Sequence, residues 1–378
     1  MTLNKNKITL VKDTIDKHDI DKLIAWLGGN PRLTKGDLTI ELEEKWSRWL
    51  GVKYSVFCNS GSSANLAAIY SLLLSNKLRN KKIIVPAVSW VTTVSPTIQL
   101  GMFPIICDCN KDNLGLDLDE LERIIKEDDP ASLILVHALG FPNDMDKIME
   151  LCEKHNIMVI EDTCESIGSE YDGKKLGSIG DIGTFSFYFG HHMSTIEGGM
   201  ISTNDIDLYH LLLSIRSHGW DRDLPDYKKN ILRNKYNISE FRAFYTFYYP
   251  GFNLRSTDLQ AFIGLGQLEK IDDIVSKRKN NFDLYHKNIK NKEWKINPNN
   301  KMFVSNFAYP IITSKIEELV NALQDNNIET RPLICGSISK QPFWVDRYGI
   351  TDTKTADEKS FNNRNKWTRW FLFSRTLA

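Results

Sequence analysis

The sequence predicts an α/β protein built on one large, mostly parallel sheet. From about residue 54 to 217, short β-branched or apolar runs alternate with longer amphipathic stretches, a pattern typical of successive βα units. The composition fits a globular chain long enough for two or more domains, with 378 residues, 42% hydrophobic and 25% charged. We therefore exclude a disordered tail protein and a coiled coil.

Hydrophobic periodicity assigns the elements of the sheet domain in order. Extended segments are predicted at residues 54–58, 82–85, 103–107, 132–136, 158–161, 182–187 and 200–203. Helical periodicity predicts helices at residues 62–74, 91–100, 118–126 and 146–155. Two earlier helices, at residues 17–27 and 37–50, end in glycine caps and are expected to wrap the sheet domain.

The rest of the chain is expected to form a smaller domain. Residues 221–250 are aromatic, basic and irregular, and helical character resumes after Leu259. We place the boundary near residues 249–252, which divides a large domain of residues 1–250 from a small C-terminal domain of residues 251–378.

Charge and cysteine content limit the possible partners. Lys and Arg number 48, as do Asp and Glu, and no basic block of the kind that nucleic-acid binding requires is present. No apolar run has membrane-spanning length and the first twenty residues lack a signal-peptide core. We expect a cytoplasmic protein with no nucleic-acid or membrane partner. The six cysteines are sparse, so we expect reduced, buried thiols and no metal site.

Small polar residues follow the first predicted strand. Residues 59–64 read NSGSSA and lie between a strand and a helix, where free helix amides form an anion site. The loop matches neither a P-loop nor a dinucleotide fingerprint. Taken alone, a serine-capped helix after a glycine turn is the simpler interpretation.

Acidic residues follow a later strand, at residues 161–165, EDTCE. The carboxyl ends of parallel strands are where open α/β sheets bind ligands. An Asp there can pair with a pyridinium nitrogen. Capping of the next segment by Asp162 explains the pattern equally well.

A third segment carries a family resemblance. Residues 183–199, GTFSFYFGHHMSTIEGG, resemble the cofactor segment of the DegT/DnrJ/EryC1/StrS sugar-nucleotide aminotransferases, in which a catalytic lysine follows a Phe-Ser-Phe strand. Residues 253–261, NLRSTDLQA, resemble the segment whose Asn crosses a dimer interface to the cofactor. The resemblance runs from about residue 20 to 345. It implies a fold type I, aspartate aminotransferase-like transferase that binds pyridoxal phosphate (PLP), has a smaller C-terminal α+β domain and forms a homodimer with a shared active site.

The resemblance also implies roles for individual residues. Those implied at the cofactor are Gly61, Ser62, Ser186 and, across the dimer, Asn253 for the phosphate, and Trp90, Asp162 and Glu165 for the ring. Those implied at the substrate are His218, Arg222, Arg331 and Ser337. Without the resemblance, basic loop residues are commonly only solvated.

His191 stands where the family has its lysine, and His192 keeps a smaller claim to that place. Imidazole cannot bond PLP covalently, but its pKa near neutrality suits a general base. Together with RSHGWDR at residues 216–222, this resembles the 3-dehydratases that make 3,6-dideoxysugars for surface polysaccharides. The resemblance implies that L-glutamate converts PLP to the pyridoxamine form (PMP). It also implies that His191 acts as base while the C3 hydroxyl of a GDP-linked 4-keto-6-deoxysugar, such as GDP-4-keto-6-deoxymannose, leaves.

Departures from the family pattern leave alternatives open. A neighbouring branch with an iron–sulfur cluster has cysteines where this chain has none, between Cys164 and Cys335, so we expect no cluster. Residues 331–337, RPLICGS, place Ser337 where an Asn is usual, which leaves a GDP-linked 6-deoxy-4-keto-heptose as an alternative substrate. An aminotransferase without its lysine and a catalytically silent binder also remain possible. The segment from about residue 359 lacks the family's final glycine-bearing strand and helix, as a frameshift or truncation would produce.

Overall fold

The computed structural model describes residues 7–110, 113–291, 295–349, 351, 353 and 369–373. Within these residues the core is a seven-stranded sheet with helices packed against it, which confirms the predicted α/β class. The order across the sheet is β1-β9-β8-β5-β4-β2-β3. The strands of the first part of the chain are β1 (Tyr54–Cys58), β2 (Lys82–Pro86), β3 (Phe103–Cys107), β4 (Ser132–Val136), β5 (Met158–Asp162), β6 (Glu170–Tyr171), β7 (Lys174–Lys175), β8 (Ile182–Ser186) and β9 (Gly199–Thr203).

Strand β9 runs against its two neighbours, β1 and β8. All other neighbouring pairs in this sheet are parallel. The carboxyl ends of β1, β2, β4, β5 and β8 therefore lie along one edge of the sheet. This edge receives the polar segments that the sequence analysis selected.

Helices cover the sheet and bury its strands on both faces. The five residues of β4, Ser-Leu-Ile-Leu-Val, are all buried, as expected for an internal strand of a parallel sheet. One cluster of apolar side chains includes Val56, Val85 and Ile134, and another includes Ile84, Leu133 and Leu135. The helices are α1 (Lys17–Gly28), α2 (Asp37–Leu50), α3 (Gly61–Leu74), α4 (Val91–Gln99), α5 (Leu118–Asp128), α6 (Met145–Lys154), α7 (Ile206–Arg216), α8 (Asp226–Tyr236), α9 (Glu240–Ala243), α10 (Asp258–Leu268), α11 (Ile271–Asn288), α12 (Ile316–Asp325) and α13 (Pro342–Tyr348).

Residues 221–250 contain more regular structure than their sequence indicates. The segment includes α8 and α9, although we expected it to be irregular. Phe241 and Tyr245 nevertheless remain 84% and 78% exposed. An exposed apolar face gives a helix no hydrophobic periodicity toward the core of its own chain, which explains why the sequence pattern missed it.

The C-terminal part carries its own small sheet. Its strands are β11 (Tyr309–Thr313), β12 (Arg331–Pro332) and β13 (Arg369–Phe373), and β10 (Met302–Phe303) pairs with β6 instead. The division at residues 250 and 251 stays a prediction. Of the segment from residue 359 onward, the structure describes only β13, so the proposed frameshift or truncation lies largely outside the described residues.

The chain before α1 crosses to this C-terminal part. Ile8 forms a β-bridge with Ile328, and the Leu10 amide donates a hydrogen bond to the Glu329 carboxylate at 2.9 Å. The attachment holds the N-terminal segment beside the edge of the large sheet where the strands end. Val11 thereby lines the cavity described below.

A buried ion cluster joins α2, α7 and the loop that follows α7. Arg216 is 1% exposed and donates hydrogen bonds to the carboxylates of Glu43 and Asp223. Lys35 donates to Asp223 from the other side, at 3.1 Å. Burial opposes ionisation of Asp223, but the charges of Arg216 and Lys35 hold the pKa of Asp223 below its ordinary value. Each charge in this cluster therefore has a partner, as burial requires.

All six cysteines are free thiols, and four of them are buried. Burial is the largest cause that raises the pKa of Cys58 to about 12. Within the described residues, we find no helix that combines the length and the apolar character needed to cross a bilayer.

Candidate active site

A cavity of about 420 Å³ lies at the carboxyl ends of the parallel strands. This is the position at which open α/β sheets bind ligands. The lining residues come from the ends of β1, β5 and β8, from the loops that follow β2 and β8, and from the C-terminal part. Those selected from the sequence that line it are Gly61, Ser62, Trp90, Asp162, Glu165, Ser186, His191 and Arg331.

The first turn of α3 forms one wall of the cavity. Ser60 caps the helix, since its hydroxyl accepts a hydrogen bond from the Ser63 amide at 3.1 Å. The amides of the first helical residues, Gly61 and Ser62, have no partner within the helix. A Cβ on Gly61 would lie 2.5 Å from the Ser186 Cβ. Glycine at this position therefore lets α3 and the end of β8 approach each other closely.

Asp162 ends β5 with its carboxylate held in place. Its Oδ2 accepts hydrogen bonds from the Asn65 side-chain amide and the Thr93 hydroxyl, both at 2.8 Å. Its Oδ1 accepts from the Cys164 amide at 3.1 Å. Asp162 is 3% exposed and lines the cavity. The structure therefore places a fixed carboxylate on the cavity floor.

Glu161 precedes Asp162 and points to the opposite face of the sheet, as strand alternation requires. Its carboxylate pairs with the His137 Nε2 at 3.0 Å and accepts from the amides of Gly177 and Gly180. Burial opposes ionisation, but these hydrogen bonds hold the pKa of Glu161 below its ordinary value. Glu161 thus fixes the turn before β8 and takes no part in the cavity.

Two further side chains define the shape of the cavity. Trp90 precedes α4 and leaves 54% of its surface exposed at the cavity. Glu165 is 8% exposed, and its Oε2 accepts a hydrogen bond from the Leu139 amide at 3.0 Å. The cavity therefore has a free aromatic side chain at its wall and a second carboxylate beside Asp162.

Cys164 also lines the cavity. Burial first, and then the nearby Asp162 carboxylate, raise the pKa of the Cys164 thiol well above its usual range. The group is therefore a thiol at neutral pH, and a thiol is a poor nucleophile.

The two adjacent histidines have different surroundings. His191 lines the cavity, and its Nδ1 is hydrogen-bonded to the Cys164 carbonyl. His192 is fully buried, and its Nε2 contacts the Ser305 carbonyl at 3.0 Å. Both rings pack against Phe307, with centroids 5.1 and 5.9 Å away. Of the two, only His191 faces the space where a ligand can bind.

Asn253 and Arg222, which are exposed, and His218, which is half-buried, do not line the cavity. Asn253 is exposed and accepts a hydrogen bond from Arg255 at 3.2 Å. The Arg222 guanidinium stacks 3.7 Å above the Trp220 ring, and His218 packs against the same ring. The chain by itself does not bring these groups together with His191.

Ser337, which the resemblance assigns to the substrate, is not among the residues that line the cavity. It is fully buried, and its hydroxyl bonds to those of Ser339 and Thr353 at 2.7 and 3.2 Å.

Sequence reasoning missed several lining residues. Val11, Tyr188, Phe189, Glu197 and Phe307 all contribute to the wall. Tyr188, Phe189 and Glu197 lie within the motif that contains His191, so their proximity was a usable signal. Val11 and Phe307 arrive from distant parts of the chain and carry no motif that marks them.

A model of the DegT/DnrJ/EryC1/StrS aminotransferase family matches residues 13–366. Among curated relatives, the GDP-4-keto-6-deoxy-D-mannose 3-dehydratase of Yersinia pseudotuberculosis is 35% identical over 339 residues, which is 88% of this chain and 85% of that protein.

Solved structures extend the similarity to the whole fold. Two structures of GDP-4-keto-6-deoxymannose-3-dehydratase each match with a TM-score of 0.86 at 29% identity, over 97% of this chain and 95% of theirs. One holds a trapped PLP-glutamate geminal diamine. The other is a histidine-to-asparagine variant with bound GDP-perosamine.

Proposed function

Because the chain belongs to the DegT/DnrJ/EryC1/StrS aminotransferase family, we propose that it is a PLP-dependent 3-dehydratase of a GDP-linked 4-keto-6-deoxysugar, with glutamate as amino donor. One observation carries the proposal: the cavity presents His191, and none of the described residues that line it is a lysine. The relatives support the sugar and the donor, since one similar structure holds GDP-perosamine and another holds PLP with glutamate.

The residues of the cavity fit PLP. The first amides of α3 and the Ser186 hydroxyl supply donors for a phosphate at a helix N-terminus. The close approach of Gly61 to Ser186, which a Cβ would fill, lets the backbone reach that phosphate. Trp90 offers a ring face for stacking, and Asp162 offers a carboxylate for a pyridine nitrogen. We therefore assign Gly61, Ser62, Ser186, Trp90, Asp162 and Glu165 to the cofactor.

When bound, PLP would supply an acceptor for the amino group of glutamate and an electron sink that assists the loss of the C3 hydroxyl of the sugar. A protonated pyridine nitrogen is essential to that electron sink. The Asp162 carboxylate can hold this proton because the side chains of Asn65 and Thr93 fix its Oδ2, while its Oδ1 accepts a hydrogen bond from the Cys164 amide. Asp162 thus orients the ring and keeps its nitrogen charged.

His191 is the base. A backbone carbonyl can only accept a hydrogen bond, so the contact between Nδ1 and the Cys164 carbonyl requires the proton to be on Nδ1. In the neutral imidazole the lone pair is then on Nε2, and this nitrogen would take up the proton that the reaction releases. A lysine at this position would instead hold the cofactor covalently, which favours amino transfer over dehydration.

Arg331 lines the cavity from β12, near the Phe307 ring. A guanidinium at this position suits an anionic group of the substrate or the donor, because it can donate two parallel hydrogen bonds. We assign Arg331 to substrate binding. The similar dehydratase is named for GDP-4-keto-6-deoxy-D-mannose, so we prefer the hexose over the heptose, and Ser337 stays a candidate for substrate binding.

The remaining residues act in a homodimer in our proposal. Asn253, His218 and Arg222 do not line the cavity of their own chain, and Arg222 contacts exposed aromatic residues of the segment that follows α7. An apolar surface of this kind is typical of a protein interface. Asn253 of one copy would then reach the cofactor phosphate of the other, and His218 and Arg222 would reach its nucleotide-sugar. The aromatic side chains concerned are Tyr227, Tyr236, Phe241, Phe244, Tyr245 and Phe247.

We place the enzyme in the cytoplasm. Its six thiols are free, and disulfides are rare in reducing compartments. The proposed substrate is also a nucleotide sugar, and no helix of the described chain is suited to spanning a membrane.

The test supplies purified protein with PLP, excess glutamate and GDP-4-keto-6-deoxymannose, and measures ammonia and the mass of the sugar product. Ammonia together with loss of the C3 oxygen is the expected result. The His191→Asn variant should lose at least about 100-fold in rate, because a general base contributes that much or more. His192→Asn is the matched control, since His192 faces away from the cavity, and it should retain turnover per folded molecule.

Other outcomes would change the proposal. Conversion of the cofactor to PMP without sugar turnover would contradict the hexose and favour another keto-sugar, such as the heptose. No conversion by glutamate would contradict the dehydratase and favour a silent protein. Transfer of an amino group to the sugar would restore the aminotransferase interpretation.

A further inference from the structure

Arg278 lies on α11, directly behind the loop that carries His191. Its guanidinium donates hydrogen bonds to the carbonyls of Asn306 at 3.0 Å and His191 at 3.3 Å, with a longer contact to the Phe307 carbonyl at 3.5 Å. Phe307 is the ring on which His191 packs. One side chain therefore joins the main chain of His191 to the segment that supports the His191 ring.

Arg278 is an unusual cation for its position. Burial lowers the pKa of Arg278 to about 10, so it stays charged at neutral pH. Among the described residues it forms no ion pair, whereas the buried Arg216 contacts two carboxylates. Backbone carbonyls satisfy its hydrogen bonds but do not neutralise its charge. Arg278 is half-buried, and a partly desolvated charge without a counter-ion is costly, so its contact with the main chain of His191 points to a functional role.

The charge acts on a site with several ionisable groups. Anionic groups of the cavity favour the protonated imidazole, while cationic groups favour the neutral one. The ionisable groups of the elements around His191 are Asp162 at the end of β5, Cys164 and Glu165 after it, Tyr188, His192 and Glu197 on its own loop, Arg331 on β12 and Arg278 on α11. Arg278 and Arg331 are the cations of that set.

We propose that Arg278 is a positioning residue for His191: it fixes the main chain of the base and, through its permanent charge, favours the neutral imidazole that can accept a proton. The proposal rests on the proposed function, because it assumes that His191 is the base. It adds a residue that touches neither cofactor nor substrate and that no sequence motif marks.

Three variants separate charge from geometry. Arg278→Met removes both, and Arg278→Lys keeps the charge but loses the planar guanidinium that reaches two carbonyls. Lys277→Met is the matched control, because Lys277 is the exposed neighbour on the same helix. The readouts are the pH profile of kcat/KM for dehydration and the titration of the His191 imidazole, followed by NMR in cofactor-free protein with labelled histidine. The His191→Asn variant assigns the signal.

In Arg278→Met we expect the pKa of His191 and the midpoint of the acidic limb of kcat/KM to rise together by about one pH unit, the scale of one nearby charge. Loss of the cation removes repulsion from the imidazolium, so the base is protonated at higher pH. In Arg278→Lys the titration midpoint of His191 should stay close to the wild-type value while kcat falls. In Lys277→Met neither quantity should change.

An unchanged His191 titration in folded Arg278→Met would overturn the proposal, and so would a lower midpoint. If the Met variant fails to fold, Arg278→Gln replaces it and is judged by the same midpoint. The NMR readout needs no turnover, so its result stands even if the wild-type protein does not dehydrate the sugar. A shift of the His191 titration midpoint by NMR, in a protein whose wild type does not dehydrate the sugar, would therefore contradict the proposed function and support the positioning role.

Discussion

At the scale of single residues, the neighbouring histidines show how the fold assigns chemistry. His191 is held at the cavity by one ring nitrogen, whereas His192 is buried against the Ser305 carbonyl. Both have the same side chain and adjacent positions in the sequence. Their surroundings alone decide which of them can exchange a proton with a ligand.

Replacement of His191 by lysine should convert a base into a covalent anchor for the cofactor. We expect His191→Lys to bind PLP through its primary amine and to lose at least about 100-fold in dehydration rate, the contribution of a general base. Borohydride reduction followed by mass spectrometry should show the added cofactor on the protein. His191→Asn is the control, because its amide cannot form that bond. Undiminished dehydration by the lysine variant would refute the base assignment.

Residue types at strand ends were predictable, and supporting contacts were not. Gly61 and Asp162 follow predicted strands and Ser186 lies near the end of another, and the sheet brings strand ends together. Arg278 was not predicted because it contacts backbone carbonyls. Every residue has such a carbonyl, so the sequence does not mark these contacts. The role of Ser337 stays a prediction, because the motif fixed its position along the chain and not the direction of its side chain.

At the scale of elements, the approach of α3 to β8 controls the proposed phosphate site. Gly61→Ala would place a Cβ 2.5 Å from the Ser186 Cβ and 3.0 Å from the Cys164 Sγ. A Cβ cannot rotate away, so the helix and the strand must separate. We expect the Kd for PLP to rise about tenfold or more, since overpacking costs about 1–3 kcal/mol. A spectroscopic titration with PLP measures it.

Gly28→Ala is the matched control for that substitution. Gly28 ends α1, and nothing lies within 4 Å of a Cβ built there. The control should bind PLP as the wild type does. If Gly61→Ala also binds normally, the close approach is not needed for the cofactor.

Elements were predicted best where burial imposes a period. The strands of the large sheet begin and end near the predicted residues, because apolar runs between glycine and polar turns are short and clear. Helices α8 and α9 were missed because their aromatic side chains face outward. When an apolar face contacts another molecule, the hydrophobic pattern of that segment does not reflect packing against the core of its own chain.

At the scale of the whole molecule, the proposed dimer requires each site to be built from two copies. His191→Asn and Asn253→Ala should each be impaired alone. In an equal mixture that exchanges subunits, half of the dimers are hybrids with one intact site, so we expect recovery to about a quarter of wild-type activity. Activity of the mixture and of each variant alone, at equal total protein, measures the effect.

The same mixture separates the two possible geometries. If Asn253 acts within its own chain, no hybrid contains an intact site and mixing restores nothing. Unmixed variants carried through the same exchange procedure provide the baseline. Sedimentation analysis of each variant shows whether the loss reflects dissociation instead of a missing contact.

The loop that carries His191 leaves the sheet at β8 and returns to it at β9, so both of its ends are fixed by hydrogen-bonded strands. We therefore expect a new side chain at position 191 to change the reaction without moving the two strands that hold the loop. Lysine and histidine codons differ by more than one base, so a path of single changes passes through asparagine or glutamine. Neither amide can bond the cofactor covalently or act as a base, so each route of single-base changes between the two residues passes through a variant that we expect to be inactive.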